Sequence, residues 1–100
     1  MISLNNGTNT NAVDIYGIYD DVAYSVQNGN SKNYYYNSVS ISGSNSNTAR
    51  SSAFWQSNND VIISLKNSLF HNTRAGTGSH FAIVNESGRI AAWTSSPSDY

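Results

Sequence analysis

Cysteine is absent from this chain of 100 residues, which excludes a disulfide framework, a thiolate zinc site and a cysteine nucleophile. Charge is scarce as well: 11% of the residues are charged, against roughly a quarter in an average soluble domain. The 5 basic residues stand singly and the net charge is -1, so there is no cationic stripe to recommend a nucleic-acid partner or an anionic membrane surface. No apolar run approaches the roughly 18 residues of a membrane span. Good helix formers are sparse, and helical periodicity is nearly missing. The opening Met1-Ile2-Ser3-Leu4-Asn5-Asn6 lacks the charged and apolar regions of a signal peptide, so an exported parent would carry its signal outside this sequence.

What the chain does have is a 38% hydrophobic content set among 18 Ser and 15 Asn. Its polar groups therefore hydrogen-bond rather than ionise, as in turns and ladders. Short β-rich segments alternate with Asn, Ser, Gly and Thr clusters: Ile2 to Leu4, Val13 to Tyr19, Val22 to Val26, Tyr34 to Ile41, Ala53 to Trp55, Val61 to Leu65, Leu69 to His71, Phe81 to Val84 and Ile90 to Trp93. They superpose in threes. Ile2-Ser3-Leu4 matches Val39-Ser40-Ile41 and Leu69-Phe70-His71, and Gly17-Ile18-Tyr19 matches Ala53-Phe54-Trp55 and Ala82-Ile83-Val84. Asp21-Val22-Ala23-Tyr24 matches Asp60-Val61-Ile62-Ile63 and Arg89-Ile90-Ala91-Ala92. Asn37-Ser38 likewise matches Asn67-Ser68. Offsets that agree within a few residues across three strand classes are the signature of an internal repeat.

The expected fold is therefore one all-β domain over residues 1–100, a β-solenoid of about three coils. The coils fall at about 1–33, 34–65 and 66–100, and equivalent strands stack as parallel sheets. Ile2, Val39 and Leu69 would form one inward column, Ile18, Phe54 and Ile83 a second, and Val22, Val61 and Ile90 a third. The alternative is a small antiparallel β-sandwich, which also needs many short strands separated by turns.

The stretches Tyr35-Tyr36-Asn37-Ser38-Val39-Ser40-Ile41-Ser42-Gly43, Leu65-Lys66-Asn67-Ser68-Leu69-Phe70-His71-Asn72 and His80-Phe81-Ala82-Ile83 resemble the coils of right-handed parallel β-helix repeat proteins of the pectate-lyase-like superfold. The likeness is greatest to long exported bacterial surface proteins. It implies an exported or cell-surface parent, of which this chain would be a short segment, and carboxylate clusters where family members act as lyases or hydrolases.

The residues supply few such clusters. Asp20-Asp21 is the one adjacent acidic pair, while Asp14, Asp60, Glu86 and Asp99 stand apart. Superposition places Asp21 and Asp60 one coil apart, with a solvated turn as the ordinary role. His71 falls in the column of Leu4 and Ile41, so it is expected inside as a hydrogen-bonded packing residue. Arg74 and the glycines of Gly76-Thr77-Gly78-Ser79-His80 could outline an anion loop, but turns requiring positive φ explain the glycines. Trp55 and Trp93 are expected to pack at coil corners.

Aromatics are the most suggestive feature. Alternation that buries Tyr35 with Val39 turns Tyr34 and Tyr36 outward, where flat rings beside Asn and Ser suit a sugar. These two are the expected ligand-binding residues. No catalytic residue, metal ligand or cofactor is expected. The chain is taken as a non-enzymatic structural or adhesive module with weak carbohydrate contact; the alternative is a fragment of a polysaccharide lyase or glycoside hydrolase. Unpaired strand edges at both ends predict a homo-oligomer built through the coil ends.

Overall fold

β-Branched and aromatic runs broken by Asn and Ser favour short strands over helices, and a computed structural model of the chain has nine among its described residues. It describes residues 1–9, 11–21, 31–57, 62–86 and 93–95. In chain order the strands are β1 (Ile2–Asn9), β2 (Ile15–Asp20), β3 (Ser31–Tyr35), β4 (Ser38–Asn45), β5 (Ser51–Gln56), β6 (Ile62–Lys66), β7 (Leu69–Asn72), β8 (His80–Asn85) and β9 (Trp93–Ser95). Among the described residues no helix is long and apolar enough to cross a membrane.

Each strand pairs with the one three places later. The sheets run β1-β4-β7, β2-β5-β8 and β3-β6-β9, and all six pairings are parallel. The antiparallel pairs that a hairpin-built sandwich requires do not occur among the described strands. The chain thus makes three passes through the same three sheets, giving an elongated body of 44 × 25 × 17 Å.

The second strand class has its expected register: Ile18 lies beside Phe54 and Phe54 beside Ile83. Its small residue also has a structural reason. The ladder runs from Tyr16–Ser52 to Ile18–Phe54, and both Ala53 and Phe54 belong to the core. A Cβ on Gly17 would lie 2.3 Å from Val39 Cγ1 and 2.6 Å from the Ala53 carbonyl oxygen. The strand brings two successive residues inward here, and only a small first one fits.

The first class is right in one step and wrong in the next. Ile2 pairs with Val39, but Val39 pairs with Phe70, and Leu69 pairs with Ser38. The matched dipeptides Asn37-Ser38 and Asn67-Ser68 are misleading by one residue, because Asn37 faces Ser68 and its N–H donates to Ser68 Oγ at 3.2 Å. A slip of one residue exchanges the faces of a strand. Phe70 is therefore buried while Leu69 is half exposed, and His71 stands outside beside Ser40 instead of inside above Ile41.

In the third class Val22, Val61 and Ile90 lie outside the described residues. The sheet that is described pairs Ile63 with Lys32 and Trp93, not with Tyr24 and Ala92. The run Tyr34 to Ile41 is not one strand. It breaks at Tyr36, whose φ of 57° turns the corner between β3 and β4, as Asn67 at φ 49° does between β6 and β7. The corner resets the alternation, so the inward residues Tyr34 and Val39, and likewise Leu65 and Phe70, are an odd number of residues apart.

Val39, Ile41, Ala53, Phe54, Ile63, Leu65 and Phe70 form the buried core, with Leu4, Ile15, Ile18, Tyr34, Ala82 and Ile83 packed against it. Gly78 serves this packing by close approach: an added Cβ would stand 2.0 Å from the Ala49 carbonyl oxygen, and its φ is not positive.

Candidate functional site

Counting alternation across the Tyr36 corner placed Tyr34 outside; the structure turns it in. Its ring meets Phe54 edge-on with centroids 5.0 Å apart, and its hydroxyl donates to Asp20 Oδ2 at 2.9 Å. Burial, then the hydrogen bond to the Asp20 carboxylate and its charge, push the Tyr34 phenol up to about 12. Asp20 also forms an ion pair with Lys32, and it is buried while Asp21 is exposed. The two carboxylates do not share a site: Asp21 accepts a hydrogen bond from Ser57 Oγ. Asp60 and Asp99 lie outside the described residues.

Tyr36 is exposed, and it occupies its corner under strain. A left-handed conformation costs a residue with a Cβ roughly 1–2 kcal/mol, less for Asn, the residue the next pass uses at the equivalent position. Tyr36→Asn should therefore raise stability by about 1 kcal/mol, measured as an upward shift of the urea unfolding midpoint.

His71 Nδ1 is 3.5 Å from Ser40 Oγ on the outer surface. His80 Nδ1 is 2.9 Å from Ser51 Oγ, and Ser51 is fully buried. Burial, and then the charge of Arg74, lower the pKa of His80. Arg74 itself is buried, and its guanidinium donates to the carbonyl oxygens of Val13 and Arg50 at 3.2 Å. It is thus engaged by backbone rather than facing an anion loop. Among the described residues no group of three or more His, Asp or Glu could hold a metal ion.

The aromatic site lies elsewhere, on the outer face of the second sheet. Tyr16 and Tyr19 come from β2 and Trp55 from β5, with Tyr19 and Trp55 in register. Tyr16 is the centre, 5.0 Å from Tyr19 and 5.2 Å edge-on to Trp55. Trp55 is not at a corner, as expected, but within a strand, and it is fixed by charged groups on both sides. The Arg50 guanidinium lies 5.1 Å from its ring centroid, and its indole N–H donates to Glu86 Oε2 at 3.2 Å. Asp14 closes the other end. It accepts the Arg50 backbone N–H at 2.6 Å and the Tyr16 hydroxyl at 3.2 Å, and it lies 3.6 Å from the Arg50 side chain. That backbone bond first, with help from Tyr16 and the Arg50 charge, holds the Asp14 carboxyl below its ordinary range against a smaller effect of burial. Burial and the Asp14 charge raise the Tyr16 phenol.

Trp55 is covered, Tyr16 half-buried and Tyr19 52% exposed, so Tyr19 is the ring presented to solvent. Asp14 beside Tyr16, and Arg50 and Glu86 beside Trp55, are exposed as well. A signal for this site was present in the repeat itself, since the third residue of Gly17-Ile18-Tyr19 and of Ala53-Phe54-Trp55 is the outward one. Comparisons with protein-family models, with curated proteins and with solved structures find no match to this chain.

Proposed function

We propose that the chain is a three-coil, right-handed β-solenoid acting as a non-enzymatic adhesive module of an exported protein, and that the outer face of its second sheet contacts carbohydrate. The observation that carries this reading is the exposed Tyr19 ring on a platform of Tyr16 and Trp55, with carboxylates and a guanidinium at its borders. A sugar offers C–H groups to the ring and hydroxyls to the charged groups, which suits a flat, amphipathic surface. The parallel one-to-four-to-seven strand order supports the solenoid. Self-association through the coil ends belongs to the same reading.

The test is a polysaccharide panel assayed for binding and cleavage together. Binding without turnover is expected, and Tyr19→Ala should weaken it about tenfold, the equivalent of about 1.4 kcal/mol of lost contact. Cleavage of any polymer would overturn the non-enzymatic reading. Binding by no member of the panel, or binding unaffected at Tyr19, would remove the carbohydrate assignment.

A further inference from the structure

Among the described strands, those of the middle pass have neighbours on both sides and those of the outer two on one side. β1, β2 and β3 are the edges of the three sheets at one end, and β7, β8 and β9 are the edges at the other. Burial follows this division for most of the core. Val39, Ile41, Ala53, Phe54, Ile63 and Leu65 of the middle pass are fully buried. In the outer passes Leu4, Ile15, Ile18, Tyr34, Ala82 and Ile83 are only partly so, while Phe70 of β7 is buried.

We infer that the chain stacks head to tail on further copies of itself, with β7, β8 and β9 of one copy receiving β1, β2 and β3 of the next. The inference rests on the three-coil reading and adds polarity and register to it. The occupant is argued from self-complementarity. The first pass already mates with a layer of the required kind, since β1, β2 and β3 pair with β4, β5 and β6 inside the chain. The third pass repeats the second in that respect: its Phe70 continues the Val39 position and its Ile83 the Phe54 position. Stacking would set Ile2 against Phe70, Ile18 against Ile83 and Asp20 against Asn85. The last pair has the acid-to-amide character of Asp20 and Gln56, register partners within the chain. Two like ends meeting would run their strands antiparallel and interrupt these columns. A head-to-tail contact is heterologous and does not close on itself, so the expected product is an open filament carrying one aromatic face per copy.

The absence of cysteine makes the test direct. Ser3 pairs with Ser40, and Ser40 with His71; Ser3 and His71 are exposed. Head-to-tail stacking places His71 of one copy beside Ser3 of the next at the spacing of neighbouring strands, about 4.8 Å, within disulfide reach. Ser3→Cys and His71→Cys variants of the 100-residue chain, mixed at high concentration under mild oxidation, should give a covalent dimer that neither gives alone. The double variant should give a ladder of multimers. Dimers from either single variant alone would show like ends meeting and overturn the polarity. No cross-link in the mixture, with both proteins folded by circular dichroism, would overturn the stacking. A Ser3→Cys, Ser40→Cys protein separates the two levels: an intramolecular disulfide there, with none between copies, leaves the three-pass register standing and removes only the assembly.

Discussion

Phe54→Ala should destabilise the protein by about 3 to 5 kcal/mol, a large share of what holds a chain of this size folded. Native stabilities are only about 5 to 15 kcal/mol in total. Phe54 has no exposed surface, and its ring joins the three sheets: it lies in β5 of the second, meets Tyr34 of the third at 5.0 Å and Phe70 of the first at 5.5 Å. The cavity left by its removal opens where residues of all three sheets meet. Urea unfolding followed by circular dichroism reads the effect. Ile83→Ala, one pass further out in the same column and only partly buried, should cost clearly less. Equal losses at the two positions would contradict a core centred on the middle pass.

Arg74→Met should cost about 2 to 3 kcal/mol although it retains most of the side-chain volume. Hydrogen bonds from a charged donor contribute about 1.5 to 3 kcal/mol, and unsatisfied buried acceptors are costly. The buried guanidinium ties a third-pass corner to the carbonyl oxygens of Val13 in the first and Arg50 in the second. It bridges residues 61 apart in the chain. The variant should unfold at lower urea, and the pKa of His80 should rise toward its ordinary value, because one of the two causes lowering it is the Arg74 charge. A nuclear magnetic resonance titration of His80 reads this second effect, which a general loosening of structure would not confine to one residue.

Much of the fold was legible because a repeat declares itself wherever side-chain size is constrained. The motif of Gly17, Ala53 and Ala82, each followed by two large residues, recurs because the strand brings two neighbours inward at a place with room for only one large side chain. The register of that sheet followed directly. The first sheet was half legible: Leu69 looks more like Val39 than Phe70 does, yet the corner at Asn67 sets the phase, and Phe70 takes the inward place. Composition cannot reveal a corner whose left-handed residue is Asn in one pass and Tyr in another.

The candidate site was missed for the same reason. The three consecutive tyrosines drew the reading to Tyr34 and Tyr36, while the platform of Tyr16, Tyr19 and Trp55 is dispersed along the chain and joined only by register. By itself the sequence determined that the domain is all-β, that it is built from three similar passes, and that Ile18, Phe54 and Ile83 share a column, because each follows from local strand preference and a repeating size pattern. Tertiary structure alone decided that Tyr34 turns inward onto Phe54 and where the buried Arg74 is anchored. Two corners reset the alternation of strands, and contacts between passes some 30 residues apart outweigh anything neighbours in sequence can specify.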